Sequence, residues 1–258
     1  MGRNLTKEEL KRHKEKALAK MEHYIDSLIN SPVSKTRGKA DKLSYWLEDW
    51  STFLDFESRF SPSSLRRYKR GEIIKVHLGY NIGSEEGGLH YCVVVEKNNS
   101  KNSPVITVVP LTSVKKKSDV DHLHKGCIYL GNELYTGLVS KITYIQRPLE
   151  KKVFDLKKEV DATYKTHPED MHKFQKDLED CARDLLLLKR MRNEINKAKL
   201  GSIALVGQIT TISKIRIYDP KTNFDILSNV KLSNEKLDRI DQLSLIHISE
   251  PTRPRLIS

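Results

Sequence analysis

Along the first third of the chain the apolar positions Leu10, Ala17, Met21, Tyr24 and Leu28 recur at steps of seven, four, three and four, the period of one helical face. Thr6 and Glu9 have the spacing of a capping box at the start of that helix, and Asn30, Ser31 and Pro32 should end it. A second helix is predicted after the basic turn Lys35-Thr-Arg-Gly38, with Leu43, Trp46, Leu47, Trp50 and Leu54 along one side. Both tryptophans lie on this stripe, where packing is the expected role rather than base stacking. These helices form an N-terminal arm over residues 1–66.

From Lys69 the period changes. Residues 72–78, 91–95 and 105–109 are β-branched runs separated by Gly, Asn, Ser and Pro clusters, and they read as strands. Residues 127–130 and 202–206 look like two more, and 212–218 alternates apolar with polar residues as one half-buried strand should. Between them, Leu149, Val153, Leu156 and Val160 return to a helical spacing. Phe174, Leu178, Cys181, Leu185, Leu188 and Ile195 continue as a heptad seam broken at Arg192. Thr166-His-Pro-Glu169 offers an N-cap threonine, an early proline and a reciprocal glutamate, so an antiparallel helical hairpin is predicted over about residues 147–198. The fold class is therefore α+β: a β-rich domain at 67–242, interrupted by the hairpin and preceded by the arm.

Composition adjusts this picture at three points. Lys and Arg outnumber Asp and Glu by 46 to 34, and a net charge of +12 favours polyanionic partners. The three cysteines, Cys92, Cys127 and Cys181, are widely spaced with no CxxC pair, so neither a disulfide framework nor a zinc ribbon is expected and a reducing cytoplasm fits best. No apolar run approaches the ~20 residues of a membrane span, and the charged start of the chain does not read as a signal peptide. The stretch Leu243-Ser-Leu-Ile-His-Ile-Ser-Glu-Pro-Thr-Arg253 resembles the in-frame translation of a sequencing-library adapter, so residues 243–258 are set aside as a tail without native signal.

Four blocks then carry a resemblance. Arg70-Gly-Glu-Ile-Ile74 opens the first strand, Asn81-Ile-Gly-Ser-Glu-Glu-Gly-Gly88 forms a glycine-rich loop, and Ser103-Pro104 and Pro110-Leu-Thr112 bracket the third strand. Beyond the hairpin, Gly207-Gln-Ile-Thr-Thr-Ile-Ser-Lys-Ile-Arg216 completes the set. In this order they resemble the MazF/PemK family of toxin endoribonucleases, closely over residues 69–113 and moderately over 202–242. The resemblance implies a small twisted antiparallel sheet like an SH3-like barrel. It also implies a homodimer whose groove binds single-stranded RNA, an antitoxin that blocks it, and no cofactor. It leaves the arm and the hairpin unexplained.

Cleaving RNA without a metal needs a base for the ribose 2′ proton, an acid for the leaving 5′ oxygen, and donors to the phosphorus oxygens. By resemblance, Thr112 matches the family's catalytic threonine, while His90 stands where the family has an arginine and Tyr91 where it has a proline. Histidine exchanges a proton near neutrality, with an ordinary pKa of ~6.5, whereas arginine stays charged. His90 is therefore expected to act as general acid or base, with Thr112 on the scissile phosphate. Ser84, Gly87 and Gly88 are candidates for backbone contact with a phosphate, and Lys115, within Lys115-Lys-Lys117, for the RNA backbone. Gln208, Thr210 and Arg216 are candidates for base-edge or phosphate contacts. His122 and His124 lack a nearby third ligand, so no zinc site is expected. Two alternatives stay open: a non-catalytic or retargeted toxin of the same fold that binds nucleic acid, DNA included, or gyrase, and an N-terminal arm that acts as a built-in antitoxin or a docking element.

Overall fold

In a computed structural model of the protein, the described residues are 5–115, 119–198 and 201–249. They form two compact units, one from 1–60 with 78–88 and the other from 61–77 with 89–258.

The first unit is built on α1 (Lys7–Ile29) and α2 (Ser34–Glu57). The capping box forms: Glu9 N–H donates to Thr6 Oγ1 at 3.2 Å and Thr6 N–H to Glu9 Oε2 at 2.8 Å. The second helix starts ahead of the predicted turn. Arg37 Nη1 donates to the carbonyls of Ser31 and Pro32 at 2.9 and 3.1 Å, so the residue read as part of a turn clamps the preceding one, and Gly38 lies inside the helix. Leu43 is buried and Trp46 rests on Phe53 with ring centroids 6.3 Å apart, but Trp50 is 49% exposed and does not share the packing role predicted for the stripe.

The second unit carries an antiparallel sheet of β1 (Ile73–His77), β2 (Leu89–Val94), β3 (Val105–Ser113), β4 (Cys127–Gly131), β5 (Ser202–Leu205), β6 (Thr210–Ser213) and β7 (Ile217–Asp219). Its order is β4-β5-β3-β2-β1-β7, with β6 also on β3. Strand β3 is the pivot, pairing with β6 over Val105 to Val108, with β2 over Val108 to Pro110 and with β5 over Leu111 to Ser113. The single strand predicted over 212–218 is two strands joined by a 3-10 turn, Lys214–Arg216. The buried Lys214 forces the break: its N–H donates to Pro104 O and its Nζ to Ser100 O, both at 2.8 Å.

One face of the sheet, with Ile73, Val93, Val109 and Leu111, packs on Leu134 and Leu138 of α3 (Glu133–Thr166) and on Leu237 and Ile240 of α5 (Asn234–Ser249). Each fully buried aliphatic side chain stabilises the fold by roughly 1.5–3 kcal/mol. α3 begins well before residue 147, because Leu134, Leu138, Ile142, Leu149 and Leu156 keep one buried stripe through Pro148. That proline removes one helical hydrogen bond and reads in sequence as a boundary. Thr166 ends α3, its Oγ1 donating to Ala162 O at 3.0 Å, and does not cap the next helix as predicted. After a 3-10 turn at Pro168–Phe174 comes α4 (Gln175–Ala198). Its buried seam is Cys181, Leu188 and Met191, with Phe174 and Ile195 partly buried; Leu178 and Leu185 are about half exposed on the flank. Helix α5 runs into the segment set aside as a tail, and Leu243 packs against the core, whereas residues 250–258 of that tail lie outside the described residues. Among the described residues no helix is long and apolar enough to cross a membrane.

Candidate active site

In the second unit, β2 lies between β1 and β3, with His90 opposite Val76 and Cys92 opposite Pro110. Alternation along the strands puts His90, Cys92 and Pro110 on one face, and continuing the register two residues brings Thr112 across from His90. Thr210, opposite Val108, belongs to the same face. The half-buried His90 places Nδ1 3.3 Å from the carbonyl oxygen of Leu111, the residue before Thr112. A carbonyl only accepts, so His90 Nδ1 is the donor in this contact. Thr112 is half-buried and held from its other side by pairing with Ile203. The orienting group at His90 is thus a backbone carbonyl, which sequence reasoning missed because no side-chain identity signals it.

Arg216 closes the 3-10 turn before β7, and its Nε donates to His77 O at 2.7 Å. Burial lowers its pKa from the ordinary value, with the charge of Cys92 opposing that shift. Gln208 is half-buried in the turn Val206–Gln208, which links β5 to β6. Lys115 is exposed just after β3, and the Lys116 and Lys117 of the predicted basic run lie outside the described residues.

Ser84, Gly87 and Gly88 belong to the first unit, in the loop that leaves β1 and returns as β2. Its neck is closed by Gly88 N–H to Gly79 O and Leu78 N–H to Gly88 O, both 2.7 Å. Asn81 Nδ2 spans it to Glu86 O at 2.7 Å. The Gly88 N–H is therefore engaged within the loop, and this residue's contribution here is its φ of +84°, which a side chain would strain. Gly87 serves differently: a Cβ there would sit 2.8 Å from Gly79 O. Gly87→Ala is accordingly expected to spread the neck, seen as faster amide exchange at Gly88 with exchange at Val93 unchanged.

The two histidines beyond β3 turn to local partners, His122 to Asp119 at 2.9 Å and His124 Nδ1 to Lys125 O at 2.6 Å. Among the described residues no group of three or more His, Cys, Asp or Glu side chains is arranged to hold a metal ion.

Compared with known families, residues 69–125 match the PemK-like, MazF-like toxin of type II toxin-antitoxin systems. This segment is PemK/MazF-like. No curated protein matches the chain. The match takes in β1, the glycine loop, β2 and β3, and therefore His90 and Thr112. Gln208, Thr210 and Arg216 fall outside it, as do the arm and the helical hairpin; Thr210 is joined to the PemK/MazF-like segment by the pairing of β6 with β3, and Arg216 by its hydrogen bond to His77 O.

Proposed function

We propose that the protein is an endoribonuclease toxin of a type II toxin-antitoxin pair, cleaving single-stranded RNA with no metal cofactor. The ribose 2′ oxygen attacks phosphorus as the bond to the 5′ oxygen breaks. One group takes the 2′ proton and another returns a proton to the leaving oxygen, giving a 2′,3′-cyclic phosphate and a free 5′ hydroxyl. His90 performs one of these transfers through Nε2. Thr112 donates its hydroxyl to the scissile phosphate, and Arg216 and Lys115 offset phosphate charge. Ser84, Gly87 and Gly88 shape the loop that approaches the RNA, while Gln208 and Thr210 meet base edges. The observation that carries this reading is the contact of His90 Nδ1 with the Leu111 carbonyl beside Thr112, on a PemK/MazF-like segment. A cognate antitoxin, a homodimer and a cytoplasmic site of action belong to the same reading.

Purified protein incubated with a defined single-stranded RNA in excess EDTA is expected to leave cyclic-phosphate and 5′-hydroxyl ends, detected by end-specific labelling. Intact RNA together with trapped DNA gyrase would favour the non-catalytic toxin of the same fold.

A further inference from the structure

A row of side chains crosses the sheet at the level of the candidate pair. The β2–β3 register, continued by two residues, sets His90 against Thr112; Thr112 pairs with Ile203 on β5, and Ile203 with Tyr129 on β4. Residues directly opposite in a ladder share a face, so these four side chains stand on one side of the sheet. At about 4.8 Å per strand, Tyr129 starts about 10 Å from Thr112. The other side is closed by α3 and α5, against which Val109, Leu111, Ile128 and Ala204 pack.

Of the three tyrosines in the described strands, only Tyr129 is on the His90 face. Tyr91 alternates with His90 and points the other way, toward Lys75, whose ammonium lies 5.2 Å from its ring centre and 5.8 Å from that of Tyr218. The half-buried Tyr129 ring is held in place by the backbone beside it. Gly201, just before β5, has φ +97°, and a Cβ there would lie 3.1 Å from Tyr129 Cε2 and 3.0 Å from Gly131 O. The missing side chain at 201 lets the ring edge rest on the main chain, and Ile203, 7% exposed, stands between the ring and Thr112. The one carboxylate in the described strands, Asp219, is opposite Lys75 and away from this face. In the loop from β3 to β4 the described cations Lys115 and Lys125 are matched by Asp119 and Asp121, so the ring rather than net charge distinguishes this end of the row. A tyrosine face stacks on any base, and a ring already fixed loses little freedom in doing so.

We propose that Tyr129 is the stacking platform for a base beside the scissile phosphate, holding the RNA strand across Thr112 and His90. This rests on the ribonuclease reading for its ligand, and it adds a substrate-binding residue on β4, outside the 69–125 match.

Stacking is separable from cleavage with a fluorescein-labelled 2′-O-methyl RNA of about 12 nucleotides, random in sequence, with 5-iodouridine in place of uridine. It has no free 2′ hydroxyl to attack, and an iodinated base crosslinks under ultraviolet light to the aromatic ring it stacks on. With the full chain, mass spectrometry of the digested adduct is expected to find the crosslink on Tyr129. Fluorescence anisotropy should show Tyr129→Leu weakening binding roughly tenfold, the size of one lost stacked base, and Tyr129→Phe, which keeps the ring, within about twofold of the parent. Circular dichroism checks that both variants fold; should Tyr129→Leu not, the crosslink on the parent and the affinity of Tyr129→Phe decide. The platform is overturned by crosslinks confined to other residues, by a parent that does not bind, or by folded Tyr129→Leu binding within about twofold of the parent. It is equally overturned if Tyr129→Phe loses as much as Tyr129→Leu, since the hydroxyl and not the ring would then carry the effect. A Tyr129 crosslink with ordinary RNA left intact supports the platform while sinking the ribonuclease reading. Cleavage of ordinary RNA with binding indifferent to Tyr129→Leu does the reverse.

Discussion

His90→Ala is expected to lower the rate of RNA cleavage by roughly 10²–10⁴-fold, the usual contribution of a positioned acid or base. The half-buried ring spans a short distance between strands and packs no large part of the core, so thermal unfolding should stay close to that of the parent. Single-turnover cleavage at saturating protein separates the chemical step from binding. His90→Gln retains a donor that can reach Leu111 O but cannot exchange a proton, and it should be as inactive as the alanine variant. His90→Arg restores the charge that the family has at this slot, and any activity it shows would come from electrostatic stabilisation rather than proton transfer. Unaltered cleavage in both His90→Ala and His90→Gln would remove this residue from the mechanism.

The second large effect is on stability. Glu72→Ala is expected to destabilise the protein by about 3–5 kcal/mol, because it removes one half of a buried ion pair and strands the other. Glu72 is fully buried; its carboxylate accepts from Arg66 Nη1 and Nη2 at 3.1 and 3.0 Å and from Lys69 N at 3.0 Å. The Arg66 side chain is 6% exposed, so water could not replace the lost partner. Arg66 also donates to Asn223 and Asn229 at 3.0 and 3.3 Å, fixing the segment that carries Phe224. Loss of the pair should therefore lower the midpoint of thermal unfolding by roughly 10 °C. Replacing both residues with Met and Leu should recover most of that loss. A Glu72→Ala midpoint within a degree or two of the parent would show that the pair contributes nothing net.

Elements with one dominant period were legible in the sequence. The capping box at Thr6, the strands at Ile73, Leu89 and Val105, and the membership of the 69–125 segment all follow from residue spacing and motif order. Errors arose where a tertiary contact overruled a local signal. Pro148 reads as an end, yet a buried leucine stripe carries α3 across it. Leu178 and Leu185 fit a heptad on paper, while Met191 is the residue that the facing helix buries. Ile212 to Tyr218 alternates cleanly, yet the Lys214 amine reaches back to Ser100 O and breaks the strand. His90 and Thr112 could be named as candidates from motif position. Their relation could not, because it depends on how β2 registers with β3 and on a carbonyl.

The hairpin leaves the sheet at the end of β4 and returns at the start of β5, and these two strands are antiparallel neighbours with Gly131 across from Ser202. Topologically the whole excursion is an enlarged β-turn at the margin of the sheet, since β4 ends the strand order. Its entry and exit are already adjacent, so length can be added or removed there without shifting any interior strand pairing. The first turns of α3 are bound into the core through Leu134 and Leu138, and Ile195 near the end of α4 packs against it. The outer part is a module that can diverge in length and surface independently of the sheet that carries the PemK/MazF-like segment.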